Sequence, residues 1–308
     1  MKEKILAVVM ATSIFMSFAI FGCKSSSSES TKAISTGNGE SAAGNETKDP
    51  EAETTTAASK TPTIEEAVVY DKDGIKITAK EYETDSIWGD GVKFLIENDT
   101  KHNLTVGCRA LIVNDYMISD LFVTEVAAGM KTNETMHLSS SQLKAAGIDT
   151  IGKIEIYFHI YDSDTFKDIA NPDCVTIKTS LYDQMDTKAD DSGEVLFEKG
   201  GIKIIGKYAD ENSFWGTSVV FYIENTSNKN VTVQASNVSI NGFTFDAALF
   251  SSTVYAGKKS YSNMTLLSSE LEQNGIKSVD EISLKFKILD EKTFKDIAKS
   301  DVIKFKTK

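Results

Sequence analysis

The chain repeats itself, and this limits its possible folds more than any other feature. Sliding Tyr70–Glu125 forward by 127 positions, and Val126–Thr179 by 128, gives 42 identities over 110 aligned positions, with one inserted residue placed near Thr253. Gly74-Ile75-Lys76-Ile77 returns as Gly201-Ile202-Lys203-Ile204, and Ile96-Glu97-Asn98 as Ile223-Glu224-Asn225. TFKDIA at Thr165–Ala170 recurs letter for letter at Thr293–Ala298. Two copies are too few for a solenoid. Each copy, about 110 residues long, can enclose a core of its own.

Within each copy the hydrophobic period is two. Ile154, Ile156, Phe158 and Ile160 alternate with Glu155, Tyr157 and His159, and Ile282, Leu284, Phe286 and Ile288 alternate with Ser283, Lys285 and Lys287. Such alternation predicts antiparallel strands with one face buried and one wet. Asn241-Gly242 predicts a hairpin turn because both positions tolerate positive φ, and Asn114-Asp115 takes its place in copy one. Roughly seven strands per copy, spaced by turns, predict a sandwich. Ser139–Ile148 and Ser268–Ile276 predict one short helix per copy, with serines at the start to cap it. Gly147 and Gly275 stand at the left-handed C′ position, and Leu143–Ile148 and Leu271–Ile276 form the C3–C″ contacts of a Schellman motif. The hexapeptide lies between the last two strands. There Phe166 with Ile169, and Phe294 with Ile297, are expected to plug the core.

The repeated stretches "GIKI", "S-x-W-G", "IEN", "AGMK/AGKK", "SS-x-L…GI" and "D…TFKDI" resemble the telokin-like, immunoglobulin-type domains of Gram-positive surface lipoproteins, a family of unknown function. The likeness spans about 74–179 and 201–307. It implies an all-β fold: two tandem immunoglobulin-like antiparallel β-sandwiches, each with one short helix, attached to a cell surface. It carries no catalytic residues to transfer.

The N-terminus fits that expectation. Lys2 and Lys4 precede an apolar run from Ile5 to Phe21, then Gly22-Cys23, which reads as an export signal ending in a lipobox with Cys23 as the lipidated residue. Phe21 departs from the small residue usual there, and the alternative is an uncleaved anchor, since the run reaches the lower limit for a span. The expected layout is a lipoprotein signal peptide at 1–22, a disordered Ser/Thr/Glu-rich tether at 23–66, domain 1 at 67–180, an acidic linker at 181–195 and domain 2 at 196–308. The tether has no aromatic residue and cannot offset its ordering entropy. Its coil would span roughly 35 Å. The expected location is the extracytoplasmic face of the cell membrane, held by an N-terminal lipid.

A formal net charge of −12 makes nucleic acid an unsuitable partner. His102, His137 and His159 lack metal-ligand spacing and have no counterparts in copy two. Asp162, Asp164, Asp168 and Asp173 fall at calcium-loop positions, but Lys167 stands where an EF-hand needs glycine, and Lys292 replaces Asp164 in copy two. Ser141-Gln142-Leu143-Lys144 matches an S-x-x-K string without its companion motifs. Cys108 and Cys174, both in copy one, read as small apolar fillers or as a bridge. No metal, cofactor or catalytic residue is assigned. Candidate binding residues are Trp88 and Trp215, before the glycine of each "S-x-W-G", which read either as a recognition tip or as caps on the open end of each core. The others are the aromatic row Tyr157, His159 and Tyr161, where copy two has Lys285, Lys287 and Leu289. The row is either a binding face or a packing surface. The expected function is binding or presentation, toward a protein or wall polymer, without catalysis. The alternative is a structural spacer or assembly subunit.

Overall fold

A computed structural model describes residues 61–84, 89–119, 121–186, 188–213, 216–245 and 250–307. The leader, most of the tether, Trp88 and Trp215 lie outside them. The chain is all-β. Copy one contains β1 (Ala67–Lys72), β2 (Ile75–Glu83), β3 (Gly91–Asn98), β4 (Leu104–Val113) and β5 (Tyr116–Ile118). It continues with β6 (Val123–Val126), β7 (Lys131–His137), α1 (Ser140–Ala145), β8 (Lys153–Asp162), β9 (Asp168–Ala170) and β10 (Val175–Lys178). Copy two repeats the series as β11 (Glu194–Lys199), β12 (Ile202–Ser213), β13 (Gly216–Asn225), β14 (Val231–Ile240) and β15 (Phe243–Thr244). Then come β16 (Ser251–Val254), β17 (Lys258–Leu267), α2 (Ser268–Gln273), β18 (Glu281–Asp290), β19 (Asp296–Lys299) and β20 (Ile303–Lys306). The strands beyond the expected seven per copy are mostly short pieces of two to four residues, too brief for alternation to mark them.

Each copy is a sandwich with its own core. In copy one, β1-β2-β3-β7 faces β10-β8-β4. Phe94 meets Phe158 edge-on at 5.5 Å, and Phe122 packs against both rings. Phe221, Phe286 and Phe250 rebuild the same trio in copy two. Strand pairing relocates the inserted residue. β6 aligns on β4 as β16 aligns on β14, with Leu104 opposite Val126 and Val231 opposite Val254. The shift of 128 therefore already holds at Phe122 and Phe250, so the extra residue falls between Phe245 and Phe250, not near Thr253.

The sandwiches share a sheet. β5 pairs in parallel with β17, Tyr116 beside Lys259 and Met117 beside Ser260, so the order runs β10-β8-β4-β5-β17-β13-β12-β11. Both copies fall in one compact unit, Ala57–Lys308. Charge reinforces the seam. Lys258 Nζ lies 2.6 Å from Asp115 and 2.5 Å from Glu155, and Lys153 lies 2.7 Å from Asp115. Behind it Tyr116 stacks on Tyr261 at 6.0 Å, and Tyr261 meets Tyr222 at 5.5 Å. The acidic linker binds over this cluster. Lys207 reaches Asp190 and Ser192, Lys203 pairs with Asp191, and Tyr261 donates to the Asp190 carbonyl.

Local chemistry explains several repeated motifs. Both hairpin turns are left-handed, with φ of 47° and 69° at Asn114 and Asp115, and 49° and 86° at Asn241 and Gly242. The amide of buried Asn98 donates to the carbonyls of His102, Val126 and Ala127, and Asn225 serves Lys229 and Val254 alike. "IEN" is thus a loop clamp. The helices end in Schellman motifs, Ile148 N–H reaching the Leu143 carbonyl and Ile276 N–H the Leu271 carbonyl at 2.9 Å. Their expected serine caps do not form. The Ser139 hydroxyl turns to Ser141 while its carbonyl takes the first helical N–H groups, and Leu267 is the second cap residue. The tether's end also differs from expectation. Thr63 and Ser180 exchange hydrogen bonds and Ile64 packs on the core, so 61–66 lies against the body.

The hexapeptide is no plug. Phe166 and Phe294 are 77% and 71% exposed, and Ile169 and Ile297 are each 41% exposed. Asp162 closes a tight loop by accepting from Thr165 N–H and hydroxyl, while Phe166 N–H returns to the Asp162 carbonyl. The loop can close only with its last residue left-handed, which turns Phe166 (φ 56°) and Phe294 (φ 54°) outward.

Candidate functional site

The β8 pleat sends Tyr157, His159 and Tyr161 to the outer face, where neighbouring elements treat them differently. Tyr157 packs edge-on against Tyr255 of copy two, with centroids 4.8 Å apart, and belongs to the seam. Burial, then a hydrogen bond with Cys174, pushes its hydroxyl up to about 12. His159 and Tyr161 remain half-buried at the surface. Their rings lie 5.0 Å apart, and Tyr161 stacks on Phe166 at 6.3 Å. His159 Nε2 is 2.8 Å from Asp168. Hydrogen bonds to His159 and Asn171, with weaker help from Arg109, hold the Asp168 carboxyl below the usual range. The aromatic face therefore runs from the seam to the exposed Phe166.

The other sequence candidates resolve individually. Cys108 and Cys174 are not bridged. Cys108 pairs with Phe158 on one side of β8, and Cys174 flanks Tyr157 on the other, because Val175 pairs with Ile156. Two strand spacings, about 10 Å, separate them, beyond the roughly 7 Å between Cα atoms that a disulfide spans. Among the described residues no three His, Cys, Asp or Glu side chains stand close enough to hold a metal. Asp162 of the calcium-like string instead caps its hairpin and meets His102 at 3.0 Å. Its carboxyl is held below the usual range chiefly by the Thr165 hydroxyl and N–H. Ser141 and Lys144 of the S-x-x-K string are both exposed on α1.

The site that sequence reasoning missed is a cleft of about 470 Å³ between the copies. Copy one contributes Arg109, the β5 end at Met117–Ser119, and Gln142. Copy two contributes β16 and the start of β17. Hydroxyls dominate: Ser252 and Ser260 each bond to Ser262, and Ser119 and Gln142 bind one another. None of the described lining residues is Asp or Glu. Arg109 is the extra residue of a bulge between Cys108 and Ala110, a device that re-aims a side chain out of its strand. Among the described residues no carboxylate pairs with it. One signal was available in the sequence: Arg109 is the only arginine. Strand pairing adds that Ser251-Ser252-Thr253 stands where copy one has Val123-Thr124-Glu125. Chemically, the cleft offers a planar cationic fork with neutral donors and acceptors around it.

No family model matches the chain, and no curated protein matches it. Among solved structures it is similar to an exo-β-D-glucosaminidase studied with castanospermine and australine inhibitors. The identity is 10%, over 67% of this chain and 25% of that one, with a TM-score of 0.22. A likeness that slight carries no functional argument.

Proposed function

We propose that this protein is anchored by a lipid on Cys23 at the extracytoplasmic face of the cell membrane and acts by binding an envelope or extracellular partner, without catalysis. In this reading the sandwiches are of immunoglobulin type, as the resemblance to telokin-like surface domains implies. The observation that carries it is the link between the cleft and the aromatic row. Arg109 of the cleft acts electrostatically on Asp168, whose partner His159 begins the row that continues through Tyr161 to exposed Phe166, so a cationic fork and flat aromatic faces are linked through one carboxylate. Rigid aromatic and arginine side chains on ordered strands are typical anchors for a partner.

Immobilised Ala57–Lys308, offered wall and membrane fractions, retains a specific partner in this reading and loses it in a Tyr161→Ala, Phe166→Ala double variant. Retention of nothing from either fraction, or retention indifferent to those changes, counts against it. Conversion of Cys23 to serine releases the protein from membranes if the lipid is its anchor. A second reading, a spacer in an envelope assembly, draws on the shared sheet, which stiffens the pair. It requires a phenotype rescued by an unrelated rigid tandem sandwich.

A further inference from the structure

We propose that the cleft between the copies binds a small carboxylate-bearing ligand, about the size of a sugar acid or a dipeptide, with the Arg109 guanidinium as the group that takes the carboxylate. The inference rests on the binding reading above and gives it a site and a ligand chemistry.

Charge distribution is the first argument. The chain carries 45 acidic residues against 33 basic ones. A surface hollow on such a body normally includes carboxylates. Another hollow, between β1 and residues 169–176, includes Asp73 and Asp173. The cleft has none among its described lining residues. The comparison between copies shows where one has gone: Glu125 of β6 is replaced by Thr253 on β16, the strand that faces copy one. An anion entering the cleft therefore meets no carboxylate among the described lining residues, and Asp168, the carboxylate that feels Arg109, lies outside that lining and is engaged by His159.

The second argument is the identity and posture of the cation. Every other basic residue is lysine. A lysine ammonium would serve as a diffuse positive charge, whereas guanidinium presents a rigid fork that matches both oxygens of a carboxylate. Arg109 is the unpaired residue of its bulge, whereas Ser236, its counterpart in sequence, pairs with Lys285 and the bulge of copy two follows it, so the fork is particular to copy one. Ion pairs elsewhere take up many lysines, but Arg109 has no carboxylate partner among the described residues. Its charge does reach Tyr255 and Asp168.

The third argument is the remaining lining. Ser251, Ser252 and Thr253, with Ser119, Gln142 and Asn263, supply neutral donors and acceptors. Phe250 and Ile118 supply a small apolar floor. This mixture suits a ligand with hydroxyl or amide groups beside its carboxylate, and the volume lies in the range of small-molecule sites.

The full chain, held in neutral detergent, is titrated by calorimetry with glucuronic acid and with N-acetyl-alanyl-alanine. Glucose and the C-terminal amide of the same peptide are the uncharged partners. At least one carboxylate is expected to bind about tenfold or more tightly than its uncharged partner. Arg109→Gln should erase that preference, and Arg109→Lys should restore only part of it. Thr253→Glu, which returns the carboxylate of copy one, should abolish binding without touching the arginine. Which probe binds tells a sugar acid from a peptide terminus. Failure of both carboxylates, equal binding of an uncharged partner, or unchanged binding in Arg109→Gln each overturns the proposal. If both probes fail while wall or membrane fractions still yield a partner, the cleft assignment falls and the broader binding reading stands.

Discussion

Tyr116 and Phe243 occupy the same place in the two copies, just after the left-handed hairpin turn, yet Tyr116 is 2% exposed and Phe243 47%. The turns do not differ; the neighbours do. β5 lies along the β17 edge, whereas β15 has no strand on its outer side among the described residues. The receiving edge differs too. Tyr222, Tyr261 and Lys258 of copy two correspond to Leu95, Asn133 and Met130 of copy one. Asp115, which anchors the seam, corresponds to Gly242. Duplication thus supplied the sandwich twice, and the sequences then diverged to make one junction between the copies. The free edge β7 carries Lys131 and Glu134, charges that discourage another strand from pairing there.

The most forceful way to break this comparison is to damage one core and watch the other. Phe158→Ala and Phe286→Ala each remove a central ring of an aromatic trio, at a cost of about 3–5 kcal/mol. Because the sheet is shared, calorimetry should show one transition that moves in both variants. Two transitions, only one of which moves, would mean that the copies melt independently.

Alkali tests the seam next. Burial, with help from Glu224 and Asp190, pushes the Tyr116 hydroxyl up to about 12. A raised tyrosine value contributes stability that is full below its unfolded value near 10 and is lost as pH rises toward 12, about 2 kcal/mol in all. Phe243 contributes nothing of this kind. Denaturant midpoints should therefore fall between pH 10 and 12, and less steeply in Tyr116→Phe. That variant should cost nothing near neutrality, because the Tyr116 hydroxyl is buried without a hydrogen-bond partner among the described residues.

Lys258→Ala addresses the same seam through charge. It leaves Asp115 and Glu155, both mostly buried, with only Lys153 between them, and should cost about 1–3 kcal/mol. Met130→Ala, at the matching place in copy one, should stay within about 0.5 kcal/mol. Acid should weaken the seam as well. Burial pushes the Asp115 carboxyl up, but hydrogen bonds from Lys153 and Lys258 outweigh it and hold the group below the usual range. That contribution is present above the unfolded value near 4 and lost as pH falls through the folded one. Equal effects of Lys258→Ala and Met130→Ala on the thermal midpoint would remove the seam's special status.

What was legible in the sequence was what repeats at short range. The β8 and β18 alternation marks buried faces, Asn241-Gly242 marks a turn, and Gly147 with Ile148 marks a helix end, because backbone sterics act within a few residues. The cleft left no such mark. It exists because β5 happens to lie along β17, and no local pattern states which edge a strand will meet 143 positions away, the distance in sequence between Asp115 and Lys258. The aromatic row was visible as outward-facing, but its division was not. Tyr157 belongs to the seam only because Tyr255 comes from the other copy. Phe166 misled for a different reason. Its apolar side chain suggested burial, while the cause of its exposure is an Asp-to-Thr clasp that forces the following residue left-handed.

That phenylalanine offers the smallest and most specific test. A left-handed β-carbon costs roughly 1 kcal/mol or more, which glycine avoids. Neither Phe166 nor Phe294 recovers this by burial. Glycine at Phe294 should therefore leave stability unchanged or raise it by up to about 1 kcal/mol, its own unfolded-state entropy offsetting part of the gain. Phe166→Gly should gain less, since it also gives up the stacking on Tyr161, where copy two has Leu289. Chemical denaturation of the two variants gives the order directly. If both prove destabilising by more than 1 kcal/mol, the rings hold the loop together and packing accounts for the repeat. If Phe294→Gly is neutral or better, stability does not explain an exposed ring kept twice on a strained backbone, and the hairpin tips become contact surfaces to be tested with the partner.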